Sequence, residues 1–178
     1  MRELAVAIQN ENEKVSIIET INSINNAGFK NVFVQWYDEN LEYSQEEQVK
    51  LCKKLGFNII FAHLGYQNIN SIWEEGIDGD NLVKRYKKDI KDCKENGIPM
   101  VVMHLTSKKK APIYGEIGLN RIKKIVQYAK ELIKKIDTKE LDEMIQEDQG
   151  VEITCNFCQK KYYLSTDDLK AIRKDKQE

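Results

Sequence analysis

Three apolar runs stand out along the chain, each opened by a glycine. They are Gly28-Phe-Lys-Asn-Val-Phe-Val-Gln35, Gly56-Phe-Asn-Ile-Ile-Phe-Ala-His63 and Gly97-Ile-Pro-Met-Val-Val-Met-His104. None alternates polar with apolar, so each predicts a strand covered on both faces. The glycine suits the left-handed residue that closes a preceding helix. A hydrogen-bonding side chain stands at the same spacing after each glycine. Gln35, His63 and His104 are therefore expected at the carboxyl ends of three strands, at one depth. Leu4–Ile8 reads as an earlier strand of the same kind.

Helical periodicity fills the intervals. Ile17, Ile18, Ile21, Ile24 and Ala27 form one stripe, and Val49, Cys52 and Leu55 another. Leu82, Tyr86, Ile90 and Cys93 form a third. Leu119, Ile122, Ile125, Val126, Ala129, Leu132, Ile133 and Ile136 follow the 3.6-residue period closely. Four strand–helix units in succession predict an α/β fold with parallel strands.

After Ile136 the pattern changes. Asp137-Thr-Lys-Glu140 is a helix-start signal, predicting a short acidic helix over about 138–147. Val151–Thr154 and Gln159–Leu164 read as strands, with Cys155 and Cys158 between them. Ser165-Thr-Asp-Asp168 reads as the capping box of a last helix. The expected organisation is a domain over 1–136 and a small α+β module over 137–178.

Composition narrows the function. The chain has 178 residues, 41% hydrophobic and 32% charged, a globular profile. That is too short for a complete (β/α)₈ barrel, which takes about 250 residues. The net charge of −1 gives no general pull on nucleic acid. No apolar run reaches membrane-helix length, and the N-terminus lacks a signal-peptide pattern. A cytoplasmic location is expected. Charge is uneven: net −3 over 1–70 (6 basic, 9 acidic), +6 over 71–136 (15 and 9) and −4 over 137–178 (7 and 11).

Two resemblances follow from particular runs. Phe61-Ala-His-Leu-Gly-Tyr66, Asn70-Ser-Ile-Trp-Glu-Glu-Gly76, Met100-Val-Val-Met-His-Leu-Thr106 and Ala111-Pro-Ile-Tyr-Gly-Glu-Ile-Gly118 resemble the N-terminal half of the sugar-phosphate isomerase/epimerase family. This is the xylose isomerase-like TIM-barrel superfamily, which also holds endonuclease IV-type enzymes. The resemblance implies a half (truncated) TIM barrel of four βα units. It also implies metal and substrate groups at the strands' carboxyl ends. His63 and His104 take the places of metal ligands, and Gln35, His63, His104 and Lys108 those of substrate contacts. A divalent ion (Mn, Co, Mg or Zn) at the barrel mouth and a sugar or sugar phosphate are the implied ligands. The carboxylates that complete such a site belong to later strands.

Glu140-Leu-Asp-Glu-Met-Ile, Val151-Glu-Ile-Thr-Cys-Asn-Phe-Cys158 and Tyr162-Tyr-Leu-Ser-Thr-Asp-Asp-Leu169 resemble the C-terminus of the redox-regulated 33 kDa chaperonin family. That family binds one zinc through four thiolates, and oxidation releases it. Here the second Cys-x-x-Cys pair is present and the first pair is not. Cys155 and Cys158 are thus expected to form a zinc-knuckle half site.

Each chemical candidate has a plainer alternative. Asp38, Glu39 and Glu42 suit acid–base work at a barrel mouth, or a solvated acidic loop. Lys108-Lys-Lys110 suits a phosphate, or mere exposure. Tyr66 and Trp73 suit stacking on a sugar, or packing. Cys52 and Cys93 sit on helical stripes as small buried hydrophobes. The leading expectation is an isomerase-like domain fused to a chaperone zinc tail, inactive or partner-dependent as an isomerase. The alternative is a redox-regulated chaperone fragment that binds zinc and unfolded proteins. An open half-barrel leaves sheet edges and apolar surface uncovered. A homo-oligomer or a complementing half-barrel chain is therefore the expected partner.

Overall fold

The computed structural model describes residues 4–9, 15–37, 43–107, 113–134, 142, 145–146, 151–154 and 161–175. The chain divides into two compact units, residues 1–70 with 84–111 and residues 71–83 with 112–178.

The first unit holds β1 (Ala5–Ile8), α1 (Ile17–Asn26), β2 (Asn31–Trp36), α2 (Gln45–Lys54), β3 (Asn58–Leu64) and β4 (Val101–Val102). The strands form one open parallel sheet in the order β1-β2-β3-β4. The expected α/β class with parallel strands is observed, and among the described residues β1 and β4 are the outer strands of this sheet. Capping boxes start both helices: Ser16 with Glu19, and Ser44 with Glu47. The predicted helix-ending glycines are real. Gly28, Gly56 and Gly97 have φ of 83°, 77° and 64°. Beyond two of them the chain returns a 6→1 bond, from Phe57 N–H to Cys52 O and from Ile98 N–H to Cys93 O.

One face of the sheet carries Ile8, Val32, Val34, Trp36, Ile59, Ala62 and Leu64, all buried. α1 and α2 pack against the sheet and bury Ile21, Ile24, Val49 and Cys52. The alternate positions Phe33, Gln35, Phe61 and His63 are half-buried. Phe33 and Phe61 stack at 4.5 Å across a register shift between β2 and β3.

The third repeat departs from expectation. Its strand spans only two residues, and His104 lies beyond it. Pro99 has no N–H to give the ladder, and Ile98 N–H is spent on the helix cap. Pairing therefore begins late, with Met100 O accepting from Ala62 N–H at 2.9 Å.

α3 (Ile77–Glu95) starts in the second unit and continues into the first. The second unit further holds α4 (Glu116–Lys134), β5 (Val151–Thr154), β6 (Lys161–Leu164) and α5 (Thr166–Asp175). Arg121 of α4 is nearly buried and grips the loop before α3. It donates to the carbonyls of Ser71, Ile72, Glu74 and Gly76, and to Asp80 Oδ1 at 3.0 Å. Trp73 is buried, meets Tyr114 edge-on at 4.8 Å and lies against Gly118. Its role is packing, the plainer of the two expectations.

In the tail, β5 and β6 pair antiparallel from Val151↔Leu164 to Thr154↔Lys161. Asp142, Ile145 and Gln146 of the expected acidic helix are helical, and its other residues lie outside those described. The capping box of α5 is present, with Ser165 N–H donating to Asp168 Oδ2 and Asp168 N–H to Ser165 Oγ. Arg173 reaches back to Asp142, with Nη2 donating to Oδ2 at 3.0 Å.

Candidate functional site

Parallel sheets place chemistry at their carboxyl edge, where the strands release their side chains into loops. In the first unit this edge gathers Gln35 from β2, His63 from β3 and His104 from the segment after β4. Gln35 and His63 are register partners on neighbouring strands. His63 pairs with Val102, so His104 is offset by two residues from the expected depth. An even offset keeps a residue on the same face of a strand. The imidazoles meet accordingly: His63 Nε2 and His104 Nε2 are 2.8 Å apart. At that distance one ring donates its N–H to the lone pair of the other.

Two aromatic rings enclose the pair. Tyr66 meets His63 at 6.1 Å and 90°, and His104 at 5.5 Å and 62°. Tyr37 meets His63 at 6.5 Å and Tyr66 at 6.3 Å, both edge-on. Burial, and after it the neighbouring His104, hold the His63 imidazole below its ordinary value. Gln35 donates Nε2–H to Gln9 Oε1 at 3.0 Å. Gln35 Oε1 and His63 Nδ1 are buried and carry no hydrogen bond. Two uncompensated polar atoms, side by side on adjacent strands, make this edge costly as pure structure.

The site is short of charge. Among the described residues, no three His, Cys, Asp or Glu side chains gather where they would hold a metal. Asp38, Glu39, Glu42 and Lys108 lie outside the described residues, as do Cys155 and Cys158. Cys52 and Cys93 are free and buried. Burial pushes the Cys52 thiol up to about 11, and that of Cys93 upward as well. Neither offers a thiolate near neutrality.

Reading the sequence missed Tyr37, Arg85 and Arg121. Arg85 stands among Lys84, Lys87 and Lys88, and Arg121 among Asn120, Lys123 and Lys124, so neither stood out as a cation in need of a buried partner.

In the tail, the β5–β6 register is fixed on both sides of the connection that carries the two cysteines. Thr154 and Lys161 are cross-strand partners, so the ends of the connection carrying Cys155 and Cys158 stand one strand spacing apart.

Comparison with known proteins bears on the tail and on part of the chain before it. The family model for the Hsp33 protein matches residues 126–165. The match opens inside α4, so that helix runs into it without a break. The 33 kDa chaperonin of Streptococcus agalactiae serotype III (strain NEM316) is 34% identical over 106 residues, covering 54% of this chain and 36% of its own. That of Lactococcus lactis subsp. lactis (strain IL1403) is 50% identical over 42 residues, 24% of this chain and 15% of its own. That of Streptococcus uberis (strain ATCC BAA-854 / 0140J) is 54% identical over 37 residues, 21% and 13%. The chain thus spans little more than a third of the Streptococcus agalactiae relative it matches. No solved structure matches. The chaperonin resemblance of the tail is therefore supported, and none of these matches lends support to the isomerase resemblance.

Proposed function

We propose that the C-terminal segment works as the thiol module of a redox-regulated Hsp33-type chaperone. The observation that carries this reading is the Hsp33 family match over residues 126–165, which takes in both cysteines. Cys155 and Cys158 would hold zinc as thiolates, two ligands of the four it wants. A second tail would supply the rest in a homo-oligomer. When bound, the ion ties the two thiols together and protects them from oxidation. The chain's own part is to present both sulfurs from one connection and to yield a disulfide when oxidised. Binding of unfolded proteins by this cytoplasmic module follows from the same reading. The test is elemental analysis of the reduced chain alongside suppression of aggregation of a chemically unfolded client, before and after peroxide. Zinc that persists in a Cys155→Ser/Cys158→Ser double variant would sink it.

A second reading concerns the first unit. Its single supporting observation is the convergence of the His63 and His104 Nε2 atoms at 2.8 Å. We read the open four-stranded sheet as a half-barrel whose mouth offers His63 and His104 to a divalent ion, with Gln35 and Lys108 toward a sugar or sugar phosphate. Two imidazoles are an incomplete set, so a second copy or a complementing half-barrel would provide carboxylates. The domain boundary near 136 belongs to this reading. Turnover of ketose phosphates with Mn²⁺ or Co²⁺, abolished by His63→Ala, is the result that would establish it as an isomerase.

A further inference from the structure

Two consecutive residues of α3 hold the turn that follows β3. Tyr86 donates its hydroxyl hydrogen to Gly65 O at 3.0 Å, and Arg85 donates from Nη2 to the same oxygen at 2.9 Å. Both terminal nitrogens of Arg85 also reach Gln67 O, at 3.4 Å. On the other side, Gly65 N–H donates to Trp36 O at 2.9 Å. A Cβ at Gly65 would stand 2.7 Å from Gln67 Oε1, the movable end of that side chain, and 3.2 Å from the Tyr37 ring.

Tyr66 is the residue caught between these anchors. The residue is 47% exposed, so burial does not fix it. Yet it stands edge-on to both His63 and His104. The clamp holds the backbone on both sides of that ring.

Arg85 is an uneconomical way to hold a turn. Its Nε is buried without a hydrogen-bond partner, although its guanidinium also lies 5.1 Å from the Tyr86 ring. An orphaned buried donor costs free energy. Local rules are broken in this manner chiefly where function requires it. What the planar fork achieves is a simultaneous grip on two carbonyls, which a lysine ammonium does not reproduce.

We propose that Arg85 is a positioning residue for the imidazole pair. It holds Gly65 and Gln67, these hold Tyr66, and the Tyr66 ring restricts His63 and His104 so that their Nε2 atoms stay face to face. The consequence for ligand binding rests on the barrel-mouth reading above: an ion or donor group arriving there meets two nitrogens already arranged.

The test uses the full chain. His63 and His104 are its 2 histidines, so the imidazole Cε1–H region of a carbon-correlated spectrum contains one signal from each ring. Spectra of the wild type, Arg85→Met, Arg85→Lys and Tyr66→Ala are compared, with amide spectra and melting curves as folding controls. Arg85→Met and Tyr66→Ala should move both ring signals toward free-imidazole positions, with Arg85→Lys between. Titration with NiCl₂ alone should show affinity reduced by about tenfold in Arg85→Met, as for loss of a group that orients metal ligands. Lower melting with unmoved histidine signals would overturn the proposal, because it would mark a purely structural role. If Arg85→Met does not fold, Arg85→Lys decides by the same two signals. Absence of nickel binding by the wild type would sink the barrel-mouth reading, while the ring signals still decide the role of Arg85.

Discussion

His63 and His104 are 41 positions apart in the chain, and their Nε2 atoms stand 2.8 Å apart at the carboxyl edge of the sheet. The contact makes the two rings one unit, since both cannot carry a proton on the facing nitrogens without repulsion. It also sets a pH dependence. Burial and the neighbouring ring hold the folded His63 below the ordinary imidazole value of 6.5. The unfolded chain then binds more protons between the two values, so stability rises with pH across that window. Full stability is expected above about pH 6.5, with loss as the pH falls toward the folded value. Glu47 and Asp168 are held low by hydrogen bonds from Ser44 and Ser165, so their contribution is lost only at more acidic pH. Denaturant midpoints at about pH 7.5 and about pH 5.5 should differ in the wild type and converge in His63→Gln. An unchanged slope in the variant would refute this assignment.

Arg121 gathers four carbonyls and one carboxylate with a side chain only 7% exposed. Arg121→Met should cost about 3–5 kcal/mol, the scale of removing one partner from a buried charged network. Asp80 is 54% exposed, and Asp80→Asn should cost about 1 kcal/mol or less. Chemical unfolding of both variants measures the contrast. Equal losses would show that the ion pair and not the carbonyl grip is the stabilising part.

Gly118 faces the indole of Trp73, and a Cβ there would overlap it. Gly118→Ala should destabilise by about 1–3 kcal/mol, as overpacking does. At Gly115 nothing stands within 4 Å of a built Cβ, so Gly115→Ala should be neutral within about 0.5 kcal/mol. Thermal melts of the pair separate a steric effect from a general intolerance of alanine at the start of α4.

Ser165 and Asp168 cap α5 reciprocally, by 2.8 Å and 3.1 Å bonds. Ser165→Ala should cost about 1 kcal/mol. Because α5 follows β6 directly, the same variant should speed zinc loss to a chelator if the tail is one cooperative module. A zinc-release rate identical to wild type would separate the helix from the thiol connection.

Reduced protein should carry about half a zinc per chain if two tails share four thiolates. Binding needs deprotonated thiols and should weaken as pH falls. Peroxide should release the metal as the Cys155–Cys158 disulfide forms. One full zinc per chain that survives Cys155→Ser would place the ligands elsewhere, with His63 and His104 the next candidates.

The chain's local code was enough for its elements. Glycine-opened apolar runs marked the strands, the Ser165–Asp168 pair marked the start of the last helix, and Cys-x-x-Cys between strand-like runs marked the tail hairpin. These are signals of short range, set by backbone conformation and by side chains a few positions apart, and they need no knowledge of distant partners. Register was not legible in that way. Pro99 trimmed the last parallel strand and moved His104 two residues past the expected depth, because a ladder begins only where a donor and an acceptor meet across chains. The clamps were equally hidden. Arg85 and Arg121 read as ordinary helix cations until the fold brought carbonyls from 18 to 50 positions away into their reach. Both stand among lysines, so nothing local announces their partners. Which oxygens they are, and that one grip stands behind Tyr66 and the imidazole pair, depends on how the chain folds back, which only the tertiary structure decided.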